Sequence, residues 1–216
     1  MVRARIITVA IAALLILVPA GLKAQSDFCT WSAADLTHKF TDGRFSAGLY
    51  MEYRTRYSED SPLGFDQFYL RPKFTWKPVS WVAVTLQGDY AFYPEDRKIR
   101  LMPQVKFTYP VGPLSLSLRQ RAQIGCHRTE AWSVLHRSML SLQYDPEGCP
   151  VKPYIAAEPF YSLGKEAAMN RVRWYAGAKV KLTDALGLSL QYVRQQFQAT
   201  GKHNDDIVFL IINIDI

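Results

Sequence analysis

At 216 residues the chain has the length of one domain. Its composition is 49% hydrophobic and 13% aromatic, with 12 Gly and 12 Pro, which excludes a disordered chain and suits many strands and turns better than a helical bundle. The net charge of +7 is no sign of a nucleic-acid partner, because the cations are spread over the whole chain instead of clustering on one face or tail.

Arg3 and Arg5 precede an uncharged run from Ile6 to Val18, followed by Pro19, Ala20, Gly21 and the small residue Ala24. That order is the pattern of a secretory signal peptide over residues 1–24, with cleavage expected before Gln25. The apolar run is too short for a helix that must cross roughly 30 Å of hydrocarbon. Its removal takes Arg3, Arg5 and Lys23, so Lys+Arg falls from 26 to 23 against 19 acids and the charge of the mature part is +4.

From Thr30 onward the dominant signal is alternation with period two, broken by turn residues. A weaker segment, Thr30 to Phe40, comes first. Phe45 to Tyr57 is the clearest: Phe45, Ala47, Leu49, Met51, Tyr53, Thr55 and Tyr57 share one uncharged face, while Glu52, Arg54 and Arg56 lie on the other. Phe68 to Lys77 sets Leu70, Phe74 and Trp76 against Arg71, Lys73 and Lys77; Trp81 to Tyr93 sets Val84 and Leu86 against Gln87 and Asp89. Arg100 to Tyr109 sets Val105 and Phe107 against Arg100, Gln104 and Lys106, and Leu114 to Ile124 sets Leu116 and Leu118 against Arg119 and Arg121. The rule recurs in His136 to Tyr144, Val151 to Tyr161 and Arg171 to Leu182, whose polar faces carry Arg137, Glu158, Arg173 and Lys179, and in Leu186 to Phe197 and Asp206 to Ile216.

Short turns at 41–44, 78–80, 110–113, 145–150 and 183–185 alternate with longer polar stretches at 58–64, 94–98, 125–131, 162–169 and 199–205. Segments of ten to thirteen residues, aromatic residues near their ends (Trp76, Trp81, Tyr57, Tyr109, Tyr144, Tyr161), and apolar faces almost without charge together predict an all-β fold. It is a single antiparallel transmembrane β-barrel of about 10–12 strands over residues 25–216, in a Gram-negative outer membrane. Eleven antiparallel strands would leave the termini on opposite sides, so either the first segment is not a full wall strand or a loop hides a twelfth.

In such a barrel the polar face lines the lumen through Glu52, Arg54, Arg71, Lys73, Asp89, Arg119, Arg121, Arg137, Glu158, Arg173 and Lys179. The first reading is a structural or narrow barrel filled by salt-bridged side chains, with a basic lumen. The second is a porin-like, anion-preferring channel or ligand-binding barrel whose partner is an anionic small molecule. The third is a lipid hydrolase: His136 and Ser138, two apart on a strand, share one face and resemble the Ser–His pair of outer-membrane phospholipase. No catalytic site, metal or cofactor is expected otherwise. His38, His127 and His203 are scattered, and Cys29, Cys126 and Cys149 have no metal-binding spacing and allow at most one disulfide.

Trp31, Phe65-Asp66-Gln67-Phe68-Tyr69 leading into Arg71-Pro72, Arg119 and Arg121, Pro153-Tyr154 with Glu158 and Phe160-Tyr161, and Asn170-Arg171-Val172-Arg173 resemble domain-of-unknown-function family 2490, a group of uncharacterised outer-membrane barrels. The resemblance spans nearly the whole mature chain. It implies a barrel and an outer membrane and, by the family's name, no activity; outer-membrane lipid and the barrel-assembly machinery are the partners expected of the barrel itself. The last strand departs from the aromatic ending usual for that machinery, finishing Ile214-Asp215-Ile216.

Overall fold

A computed structural model describes residues 26–58, 62–126, 133–164, 167–199 and 203–216; the expected signal segment, residues 1–24, lies outside them. Every regular element among the described residues is a strand. They are β1 (Ser26–Phe40), β2 (Phe45–Tyr57), β3 (Pro62–Val79), β4 (Val82–Phe92), β5 (Arg97–Val111), β6 (Leu114–Cys126), β7 (Ser133–Tyr144), β8 (Val151–Ser162), β9 (Ala168–Lys181), β10 (Leu186–Phe197) and β11 (Asn204–Asp215).

Each strand pairs antiparallel with its neighbours in sequence, and β1 pairs with β11 to close the barrel. That closing pair is parallel, in register from Ser26 opposite Asn204 to Thr37 opposite Asp215. An odd number of up-and-down strands leaves the first and last running the same way, so the ring can shut only in parallel. Both sequence-derived explanations of the odd count are corrected by this: β1 is a full wall strand, hydrogen-bonded on both sides, and the wall closes without a twelfth.

The alternation sets which side each residue occupies. Leu86, Leu101, Leu140 and Ile155 are exposed on the outer surface, while Glu52, Asp89, Glu158 and Arg173 are buried inside. Several strands outrun the alternating segments. β3 begins at Pro62, where a loop is expected, because a bulge between Arg54 and Thr55 makes Gln67 and then Phe65 their partners, leaving Asp66 as an extra residue that breaks the period.

The tight turns gather at one end, with Gly43, Gly112 and Gly148 at positive φ, and Thr41 and Asp42 join Gly43 in the left-handed region to reverse β1 into β2. Ser26 and the described ends of the strands that the longer connections join lie at the other end. Two inward-facing glycines permit close approach of neighbouring strands: a Cβ at Gly177 would press on Gln191 and the Leu190 carbonyl, and one at Gly48 on the Leu36 carbonyl and Lys73.

The apolar core lies inside the barrel along the closing seam. Cys29, Trp31, Ala33, Val193, Ile207 and Phe209 form one buried cluster, with Trp31 and Phe209 edge to face at 5.3 Å. Ion pairs clamp the seam at both ends. Arg56 reaches across from β2 to Asp27 (2.6 Å) and Asp205 (2.8 Å), and at the turn end Lys39 meets Asp215 (2.6 Å) while the Ile216 amide donates to the Thr37 carbonyl (2.9 Å).

Candidate functional site

Inward-facing side chains meet in a layer of stacked guanidinium groups and aromatic rings across the barrel. Arg54 lies 3.6 Å from the ring centre of Trp31, and Arg173 approaches the same ring at 4.9 Å. On one side Arg54 and Arg71 flank Tyr69 at 4.6 and 4.1 Å, with Arg100 at 5.5 Å. On the other, Arg137 and Arg171 each lie 4.4 Å from the Phe160 ring centre. The contributing strands are β1, β2, β3, β5, β7, β8 and β9, so the layer reaches around most of the wall.

Three buried acids each hold two arginines. Glu52 pairs with Arg54 and, at 2.8 Å, with Arg71, and it accepts the Tyr50 hydroxyl. Asp89 pairs with Arg71 (2.5 Å) and Arg100. Glu158, fully buried, pairs with Arg119 (2.6 Å) and Arg137 (2.9 Å) and accepts the Tyr175 hydroxyl (2.7 Å). Such pairs are worth keeping only when the remaining lone pairs and protons are also satisfied; the Tyr50 and Tyr175 hydroxyls serve Glu52 and Glu158 in this way, whereas Arg119 Nε has no partner among the described residues.

Other cations meet neutral partners. Arg121 donates from Nε and Nη2 to the Gln104 side-chain oxygen at 2.8 and 2.6 Å; Arg173 donates to Gln195 (2.6 Å), and Lys179 to Gln143 (2.8 Å). Lys73, by contrast, pairs with the acid Asp35 at 2.5 Å. Two cavities adjoin the layer and share Trp31, Arg54, Arg71, Arg137 and Arg173 in their walls. One of about 350 Å³ lies toward the turn end and one of about 170 Å³ toward the loop end.

The eleven residues proposed from sequence as lumen-lining therefore divide by environment. Glu52, Arg54, Arg71, Asp89, Arg137, Glu158 and Arg173 belong to the layer or its acids, Lys73, Arg119 and Arg121 face the larger cavity, and Lys179 stands nearer the turn end beside a third recess. Sequence reading missed Trp31, Tyr69 and Phe160 as members. Their signal was phase: each sits two or four residues from an inward charge, Phe160 beside Glu158 and Tyr69 beside Arg71.

His136 and Ser138 are on the opposite face. The inward residues of that strand are Arg137 and Met139, whereas Ser138 accepts a hydrogen bond from outward Gln120 (2.8 Å), and His136 stands opposite Ala122 and Tyr161. His38 contacts the Ile216 carbonyl oxygen through Nδ1 (2.5 Å), and His127 lies outside the described residues. Cys29 and Cys149 are free thiols, and among the described residues no three His, Cys, Asp or Glu side chains are grouped to hold a metal.

A family model described as a protein of unknown function, DUF2490, matches residues 28–206. No curated protein matches the chain.

Proposed function

The chain belongs to the DUF2490 family, whose description carries no activity, and from its geometry we propose that it is an outer-membrane β-barrel with a basic lumen closed to ion flow by its own side chains. The observation that carries this is the guanidinium–aromatic layer: Arg54, Trp31, Arg173, Phe160 and Arg137 stack in sequence from one wall toward the other.

The membrane address draws support from the outer surface. Leu86, Leu101, Leu118, Leu140 and Ile155 are exposed apolar residues midway along their strands. Trp76, Trp81, Tyr109 and Tyr144 are exposed near the turn end, and Tyr57, Phe65 and Tyr161 near the loop end, the two heights at which an interfacial girdle sits. A soluble barrel would place this surface in water without compensation. A closed wall, by contrast, satisfies the backbone groups that hydrocarbon leaves unpaired.

Planar-bilayer recording tests the closed lumen. The wild-type barrel is expected to be electrically silent, and a Trp31→Ala, Arg54→Ala double variant, which removes the central stack, is expected to open discrete conductance steps. Steady ohmic conductance from the wild type would overturn the reading.

A further inference from the structure

We propose that the turn-side cavity is a binding site for a small, doubly charged oxyanion, a dicarboxylate or a phosphate monoester, gripped by Arg119, Arg121 and Arg137. This rests on the reading that the polar face of the barrel is its interior.

Arg121 and Arg137 stand directly opposite each other on β6 and β7, and Arg119 shares the inward face of β6 two residues away. Like charges in such positions repel. The one carboxylate they share is Glu158, which pairs with Arg119 and Arg137 and so offsets one of three positive charges. Among the described residues Arg121 has only the neutral Gln104 oxygen across both of its bonded nitrogens. Arg119 Nε is buried and has no hydrogen-bond partner among the described residues. Two guanidinium charges of this trio are thus unmatched at a cavity of about 350 Å³, within the range of small-molecule sites, whose wall also carries Arg54, Arg71, Arg173 and Lys73 with the acids Glu52 and Asp35. A guanidinium fork matches a carboxylate or phosphate edge with two parallel hydrogen bonds, and two surplus charges match a dianion.

The approach favours the same ligand. Lys106 is level with Arg119 and shares the inward face of β5 with Gln104, and Lys179 donates to neutral Gln143 nearer the turn end. Unpaired cations along a low-dielectric passage draw anions inward.

Calorimetric titration of the full barrel in zwitterionic detergent, with inorganic phosphate and malonate as separate probes and chloride as background salt, tests the site. Saturable binding of one or both identifies the preferred oxyanion. Arg121→Gln should weaken it about tenfold or more, as expected for losing one charge-assisted pair. Gln104→Glu supplies an internal carboxylate to Arg121 and should abolish binding while keeping the fold, which heat-dependent gel migration checks. Absence of saturable heat with both probes, or unchanged binding in the folded Gln104→Glu protein, overturns the proposal. Conductance recorded on the same preparation separates the two readings: a conducting barrel that binds phosphate refutes only the closed lumen, and a silent barrel that binds neither probe refutes only the anion site.

Discussion

Glu158 illustrates how one residue can hold several strands at once. From β8 it accepts bonds from Arg119 of β6, Arg137 of β7 and Tyr175 of β9, so four strands meet at one carboxylate. Ionised and fully buried, it is tolerable only because those donors replace its hydration. Glu158→Gln would keep the shape and leave Arg119 and Arg137 facing each other without an acid. The expected loss is about 3–5 kcal/mol, the scale for breaking a buried pair, read as a lowered urea midpoint in detergent; Asp215→Asn at the half-exposed rim pair with Lys39 should change it by about 0–1 kcal/mol. Equal midpoints for the two variants would show that the buried lattice contributes nothing. That Glu158 faces inward is legible from its phase in Val151 to Tyr161. Its partners are not, because Arg119 lies 39 residues away and is brought level only by the stagger of the intervening strand.

At the scale of elements, the strands easiest to read are those with one polar and one apolar face, such as β2 and β6. β1 is weak in the sequence for a physical reason. Its inward residues Cys29, Trp31 and Ala33 belong to the seam cluster and are apolar against outward Thr30 and Ser32, whereas further on Asp35 is inward and Ala34 and Leu36 outward, so the apolar face changes sides within the strand. β11 is apolar on both faces near the middle, with Ile207 and Phe209 inward and Val208 and Leu210 outward. No pattern along either strand encodes that the two pair in parallel; only the strand count implies it. The seam is testable by cross-linking. Leu36 and Ile214 are register partners on the outer face near the turn end. A Leu36→Cys, Ile214→Cys protein should form a disulfide under mild oxidation, seen as a faster band on non-reducing gels after heat unfolding. Leu36→Cys with Leu210→Cys, on the same outer face but four residues apart along the seam, should not. Failure of the matched pair to cross-link in folded barrel would remove the parallel closure.

The whole molecule inverts the usual arrangement: charge inside, apolar surface outside. That arrangement fits the proposed bilayer address, since the exposed side chains of Leu86, Leu101, Leu118 and Leu140 gain nothing from water, while Glu52, Asp89 and Glu158 have exchanged hydration for guanidinium partners. A depth-dependent penalty for surface charge therefore separates lipid from water as the outer environment. Leu118 lies midway along β6 and Tyr109 close to the turn end of β5, both exposed. In phospholipid vesicles Leu118→Arg should cost about 2–4 kcal/mol of folding free energy and Tyr109→Arg about 0–1 kcal/mol. The difference is read from urea titrations followed by the heat-dependent gel shift. If the surface faced water, an added arginine at either height would be nearly neutral, and Leu118→Arg would fold as readily as Tyr109→Arg; that equality would exclude the bilayer as the barrel's surroundings.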